Sequence, residues 1–505
     1  MNIAYDLDGV FFDQEAFQFK KGIKYFKKQY IRQYYNNHGI KLRKSNIQVL
    51  DLATGRAFNS KKEIDFSKPY ITMNSKGYNI KEVFMCSDKE QEKFWYKNML
   101  PYALFAPFRE DAVRINKQLH EEGNKNFINS ARAKADEDSL IGVIQRGIVI
   151  FRFKLRRIPY EKMVFCSYKD DQVIEAKVKA CNDNNIDISI EDHKDIAVAI
   201  KNKTKAISLL FATRNNAEME NTDIPRYTNF SQLYYGIRKI QEKEKFKVLS
   251  REEKSKMTPL ERENYYKAYR EHLKNHVYNE KIIRKREKRL MRLIKYGKWL
   301  FDAFFKYEVI HPERIPKEKG ITIAINHRSL ADIPIAMSVF GPRPYHPMLK
   351  AEFLGTIWGR FFNSLGCNFV IREDKSSREL TREMSIQNIL MGSDIILCPE
   401  STRNKTDRLL LDFSYGAVSI SQNSGGPLYF CAIYKHKEYP KRVIDVVEKP
   451  LKVSEHDNLE EANKIFYNQA LELLEGCKKY AEEKIREINE QKNANKKVKK
   501  LLPNK

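Results

Sequence analysis

Short apolar runs that end in polar or acidic residues recur along the chain. In the first half they are MNIAYDL (1–7), FINSA (127–131), KMVFC (162–166), IDISI (186–190) and AISLLFA (206–212); in the second, ITIAI (321–325), CNFVI (367–371), DIILC (394–398) and PLYFCAIY (427–434). Each is followed by polar or helical sequence, such as DDQVIEAKVKACNDNN (170–185), where Val173, Ile174, Ala176, Val178 and Ala180 lie in a mostly helical pattern. Short strands alternating with such helices predict α/β architecture with parallel sheets.

The runs fall into two groups, and 505 residues are enough for more than one hydrophobic core. The first domain is read over 1–245. Between its first two strands lie roughly 110 residues, too many for an ordinary loop, so an inserted, mainly helical cap is expected over about 14–125. Residues 246–309 form a charged helical connector followed by KIIRKREKRLMRLIKYGKWLFDAFFKY, where Leu290, Met291, Leu293, Ile294, Leu300, Phe301, Phe304 and Phe305 recur at roughly helical spacing among Lys and Arg. Such a helix can lie in an anionic membrane interface or pack on the second domain. The second core spans 310–450, and 451–505 is a C-terminal helix with a basic tail.

Charge narrows the partners. Lysine and arginine number 92 against 66 acidic residues, a formal charge of +26, which attracts an anionic bilayer, an acidic carrier protein or nucleic acid. No zinc-finger spacing, RGG run or Arg-dense recognition helix selects nucleic acid, so none is expected. The seven cysteines are scattered with no CxxC pair, against a disulfide framework or structural zinc and in favour of a reduced compartment. The opening MNIAYDLDG lacks a basic run leading into a long apolar one, and no stretch of about 18 uncharged apolar residues occurs, so neither a secretory leader nor a membrane span is expected. The expected location is cytoplasmic, with peripheral attachment to the cytoplasmic face of a membrane.

Two constellations carry candidate chemistry. YDLDGV (5–10) puts Asp6 and Asp8 at a strand end, where carboxylates sharing a pocket repel unless a cation such as Mg2+ is present. The stretch resembles the DxDG(V/T) opening of the haloacid dehalogenase-like phosphohydrolases. FINSAR, ending its strand in Ser130, resembles their second motif, and ISIEDH, with Glu191 and Asp192, their fourth; Lys177, or alternatively Lys169, matches the lysine between them. The resemblance implies a Rossmann-like domain in which Asp6 attacks a phosphate monoester and Asp8 handles the proton. Ser130 and the lysine would hold phosphoryl oxygens, and Asp6, Asp8, Glu191 and Asp192 would bind Mg2+.

NHRSLAD (326–332) follows the ITIAI run, with Asp332 five positions after His327. If the chain turns into a helix there, the aspartate can accept one imidazole N–H and leave the other nitrogen as a base. The unit resembles the HxxxxD motif of the glycerolipid acyltransferases, the 1-acylglycerol-3-phosphate acyltransferase family. GCNFVIR (366–372), CPESTRN (398–404) with FSYGA (413–417), and GPLYFCAI (426–433) resemble the later motifs, in the same order.

That resemblance implies His327 as general base and Asp332 as its orienter. Arg372 and Arg403 would bind acceptor phosphate, with Glu400 and Thr402 organising the pocket. The acyl donor would be acyl-CoA or acyl carrier protein and the acceptor a lysophospholipid, with no cofactor for acyl transfer. Ser401 stands where the family has glycine, a departure that can alter acceptor geometry. LGTIWGRFFNSLG (354–366) can contribute to an apolar acyl channel or be an ordinary buried helix. A different acceptor, such as glycerol 3-phosphate, leaves these motifs intact, and a membrane-bound scaffold of two worn catalytic folds is the non-enzymatic alternative.

Overall fold

The structure is a computed structural model that describes residues 1–38, 48–51, 56–58, 70–73, 79–84, 86–167, 172–213, 216, 223–242, 249–275, 280–353, 357–372, 374–453 and 458–501. Lys169 lies outside them. Contacts divide the chain into two units. The first is Met1–Ile237 with Lys350–Phe361 and Ile371–Ser377; the second is Arg238–Leu349, Phe362–Val370 and Arg378–Lys505.

The first unit begins with β1 (Asn2–Asp6), which is followed by α1 (Gln14–His38), β2 (Gln48–Asp51), β3 (Arg56–Phe58), β4 (Tyr70–Met73), α2 (Ile80–Phe84), α3 (Asp88–Phe105) and α4 (Ala112–Glu121). Then come β5 (Lys125–Ser130), α5 (Leu140–Leu155), β6 (Lys162–Phe165), α6 (Val173–Asp183), β7 (Ile188–Glu191), α7 (Lys194–Lys203), β8 (Ile207–Phe211), β9 (Arg226–Tyr227) and α8 (Phe230–Gln241). The sheet order is β6-β5-β1-β7-β8-β9, every pairing parallel, which puts β1 inside.

Because successive side chains of a strand face opposite ways, Ala4 packs with Phe127, Val178, Ile196 and Ile200 on one face of this sheet. Tyr5 meets Phe11 edge-on at 5.7 Å, and Phe11 in turn contacts Phe153 and Phe230. Both faces are therefore dry, as a parallel sheet requires.

The segment between β1 and β5 is not all helical. Beside its four helices it holds a three-stranded sheet, β3-β2-β4, with β2 antiparallel to β3 and parallel to β4. Runs of three and four residues are too short to show a period, so the strands could not be read from alternation. The helices share a small aromatic core, in which Phe26 stacks on Phe84 at 4.9 Å and on Phe94 at 6.1 Å.

The second unit contains α9 (Arg251–Ser255), α10 (Pro259–Asn275), α11 (Glu280–Phe305), β10 (Tyr307–Val309), β11 (Thr322–Ile325), α12 (Asp332–Phe340) and β12 (Tyr345–Lys350). After α13 (Ile357–Ser364) follow β13 (Asn368–Val370), α14 (Lys375–Leu390), β14 (Asp394–Leu397), α15 (Gly416–Ser424), β15 (Leu428–Lys435), β16 (Arg442–Val446) and α16 (Leu459–Leu501). Its sheet has the order β10-β16-β15-β11-β14-β12-β13, with β15 and β16 antiparallel.

Alternation splits this core in two. Ile321, Ile323, Ile325, Ile396, Cys431 and Ile433 join Leu290, Ile294, Ile335 and Phe340 on one face. Ala324, Ile395, Leu397, Leu428 and Phe430 join Ile389, Val418, Phe466 and Leu474 on the other.

Here α11 packs one side on the sheet and leaves aromatic side chains open on another. Leu290 and Ile294 are buried against the sheet, whereas Tyr296, Trp299 and Phe304 are 68%, 71% and 80% exposed. The side chain of Leu300 is outside the described set. Among the described residues, no helix is long and apolar enough to cross a membrane.

Candidate active sites

In parallel sheets, functional loops gather at the carboxyl ends of the strands. β11 and β14 are parallel neighbours, with Ala324 opposite Leu397, so the chain leaves both strands at the same edge. His327 follows one strand and Glu400 the other.

Asn326 fixes where the histidine starts. Its side-chain Nδ2 donates to Ile433 O at 2.9 Å and its Oδ1 accepts from Ile433 N at 2.8 Å, imitating one more ladder rung onto β15. Glu400, buried, accepts His327 N–H through Oε1 and Leu411 N–H through Oε2, both at 2.7 Å. Burial raises the carboxyl of Glu400 above its usual range, and these backbone donors oppose the shift. Asn404 N–H closes the loop by donating to His327 O at 2.7 Å.

The imidazole is set from the other side. Asp332, at the start of α12 and 2% exposed, accepts Arg328 N–H at 2.7 Å and Ser329 N–H at 2.6 Å through Oδ2. His327 Nδ1 stands 3.4 Å from that same oxygen. Among the described residues Nε2 has no hydrogen-bond partner, and the side chain is 18% exposed. A histidine held at Nδ1 by a carboxylate and open at Nε2 has the geometry of a general base.

Of the other residues expected at this site, Thr402 and Arg403 are exposed on the same loop. Arg372 follows β13 in the stretch Ile371–Ser377, which groups with the first unit. One tie of that stretch is the ion pair from buried Arg226 Nε to Asp374 Oδ2 at 2.5 Å. In α13, Trp358 and Phe361 are 63% and 42% exposed, so this segment is not the fully buried helix considered from sequence. Asn326, Arg328 and Leu411 were not foreseen; the first two flank the histidine in sequence, but Asn326 pairs with Ile433 and the Arg328 guanidinium donates to Thr406 O at 2.6 Å, both far along the chain.

Ser401 has φ +58°, the left-handed region that a Cβ disfavours. The position therefore favours glycine, and the serine donates an Oγ–H bond to Ser414 Oγ at 3.1 Å. Ser401→Gly is expected to stabilise the protein by about 0.5–1 kcal/mol, measured as a higher urea midpoint at unchanged slope; an unchanged or lower midpoint would contradict the strain.

In the first unit Asp6, Ser130 and Glu191 end β1, β5 and β7, three adjacent parallel strands. Lys177, wholly buried on α6, reaches Asp6 Oδ1 and Glu191 Oε2 at 2.9 Å each and Asn129 O at 3.0 Å. Burial drives both carboxyl groups up, Glu191 to about 7, while Lys177 pulls each back part of the way. Among the described residues, the buried Ser130 Oγ has no hydrogen-bond partner. Gly9 has φ +88°, and a Cβ there would come within 2.0 Å of Asp192 Oδ2, so the glycine after Asp8 is sterically required.

The four carboxylates do not converge as a metal group. Asp8 is turned toward Arg132, whose Nε lies 3.0 Å from Oδ2, and accepts Tyr102 O–H at 2.7 Å. Glu191 is occupied by Lys177. Among the described residues no three His, Cys, Asp or Glu side chains are placed to hold an ion. The magnesium set expected from the sequence is thus not assembled in this arrangement, because three of its members, Asp6, Asp8 and Glu191, have protein cations as partners. Arg132 lies two residues beyond Ser130 and was within reach of sequence reading; Tyr102, on α3, was not.

Residues 306–434 match the acyltransferase family model. Among solved structures, the 1-acyl-sn-glycerophosphate (LPA) acyltransferase PlsC from Thermotoga maritima matches at 20% identity, over 43% of this chain and 88% of that chain, with a TM-score of 0.31. No curated protein matches. The protein has two α/β units, and the stretch similar to the acyltransferase family lies mostly in the second.

Proposed function

We propose that the second unit transfers a fatty acyl group from acyl-CoA or acyl carrier protein to a lysophospholipid, with 1-acylglycerol 3-phosphate the leading acceptor. The observation that carries this reading is His327 held at Nδ1 by Asp332, with Nε2 open. Nε2 takes the proton of the acceptor hydroxyl as its oxygen attacks the thioester carbonyl. The C–S bond breaks, and the proton passes to the departing thiolate. Arg403, Thr402 and Arg372 are assigned to the acceptor phosphate, for which guanidinium groups provide paired donors. Glu400 acts through the backbone of His327 rather than on substrate.

The exposed stripe of α11 supports peripheral attachment to the cytoplasmic face of an anionic membrane. Basic Lys285, Lys288, Arg289 and Arg292 precede aromatic Tyr296, Trp299 and Phe304 along it, the order of charge and ring that an interface favours. The full chain incubated with acyl-CoA or acyl carrier protein and a set of lysophospholipids and glycerol 3-phosphate should form an ester; no product with any acceptor would reject the reading.

A second activity is proposed for the first unit: hydrolysis of a phosphate monoester in the manner of the haloacid dehalogenase-like enzymes. It is favoured by the Asp6–Lys177 pair at the end of the inner strand β1 and by the unpartnered Ser130 hydroxyl. Asp6 attacks phosphorus as the ester P–O bond breaks, and water then cleaves the aspartyl phosphate to release phosphate and free Asp6; Lys177 offsets charge, and Asp8 can give a proton to the leaving alcohol and take one from the water only once its pair with Arg132 opens. Asp6→Asn is expected to lower turnover at least about 100-fold in a phosphate-monoester screen run with Mg2+ and with a chelator. Equal turnover by this variant would remove Asp6 as nucleophile.

A further inference from the structure

The helix α5 has a face that, among the described residues, is left uncovered. Gly142, Gln145, Val149 and Phe153 are buried and hold it on the first unit. On its other side Leu140, Val143, Ile144, Phe151 and Leu155 are 77%, 50%, 39%, 59% and 68% exposed. A solvated helix carries polar residues there, and a contiguous apolar stripe of this kind marks a surface that is covered in use.

The stripe has an internal symmetry. Leu140 and Leu155 lie equally far from the point between Gly147 and Ile148, as do Ile144 and Phe151. Gly147, at that centre, has nothing within 4 Å of where a Cβ would stand. Charges are arranged in the opposite sense: exposed Asp136, Glu137 and Asp138 precede the helix, and exposed Lys154, Arg156 and Arg157 end it. Asp138 and Arg157 are again equidistant from the centre.

We propose that α5 pairs antiparallel with α5 of a second copy of this chain about a two-fold axis at Gly147–Ile148. A two-fold interface requires that if one position meets another, the reverse also holds. Leu140 then meets Leu155, Ile144 meets Phe151, and Asp138 meets Arg157, each twice, while Gly147 lets the backbones approach. Within one chain, among the described residues, Asp138 makes only a long contact, 3.4 Å, to Arg146, and its side chain is fully exposed. An anionic bilayer fits this face less well, since the acidic end would meet like charge.

A 16-residue helix is about 24 Å long, and its face is smaller than the roughly 800 Å² per partner of a stable dimer. Association in the micromolar range is therefore expected.

Sedimentation equilibrium of the full chain between about 1 and 100 μM should show a monomer–dimer equilibrium, weakened about tenfold or more by Phe151→Asp. Asp138→Arg should weaken it, and adding Arg157→Asp should restore it. Ile148→Cys, on the axis, should give a disulfide-linked dimer under mild oxidation that wild type does not. Leu140→Cys should not, because the two copies of that position would lie about 22 Å apart along the helix.

A wild-type monomer throughout this range would overturn the proposal. So would equal cross-linking at both positions. Flotation of a monomeric wild type with phosphatidylglycerol vesicles, lost in Phe151→Asp, would assign the face to a membrane instead.

Discussion

His327→Ala is expected to cut acyl transfer by about 10³-fold, within the range for removal of a general base, and to leave the fold intact. The side chain is partly exposed, and no backbone group depends on it; Asp332 retains the Arg328 and Ser329 N–H bonds. Rates with saturating acceptor, beside a urea melt, separate the two effects. A variant that acylates at the wild-type rate would remove His327 from the chemistry. Asp332→Ala should differ in kind, since it leaves two N–H groups of the turn without their acceptor and so lowers stability together with rate. That contrast distinguishes the proton acceptor from the residue that positions it.

Lys177→Met is the second large effect, and it concerns stability whether or not the first unit hydrolyses anything. Lys177 is the cation between two buried carboxylates. Removing one partner of a buried ion pair costs about 3–5 kcal/mol, which for a unit of this size lowers the melting temperature by roughly 10 °C.

The loss should depend on pH. The carboxyl of Glu191 is already raised to about 7 with Lys177 present, and without the lysine it rises further. A group whose folded pKa lies above its unfolded value contributes stability below the unfolded value and loses it as pH rises through the folded one. The deficit should therefore be larger at pH 8 than at pH 5, and Glu191→Gln in the same background should recover part of it. Circular-dichroism melts at the two pH values test this; a melt equal to wild type at pH 8 would show that the carboxylates do not need the lysine.

The amino-acid sequence alone determined the local pieces of both sites. The apolar runs marked the strands that became β1, β5, β11 and β14, and a five-residue spacing was enough to bring Asp332 to His327, because a strand end turning into a helix is a short-range event. The resemblance to the dehalogenase-like motifs offered Lys177 or Lys169 as the lysine before ISIEDH; Lys177 is the one seen between the two carboxylates, and Lys169 lies outside the described residues. Reading Ser401 as a departure needed only one residue, and its positive φ supplies the physical reason for a glycine there.

What the tertiary structure decided depends on partners far apart in the chain. Asn326 looks like an ordinary loop residue until Ile433, 107 positions away, completes its pair of hydrogen bonds. β12 carries Pro347 within a sheet interior, a residue that argues against a strand in any sequence reading. Asp8 was read as a metal ligand because its spacing from Asp6 is local, whereas the Tyr102 hydroxyl that meets it comes from 94 residues away. The open face of α5 has the same origin: LIGVIQRGIVIFRFKL is apolar nearly all round, and only packing settles which side meets the core and which is left for another surface.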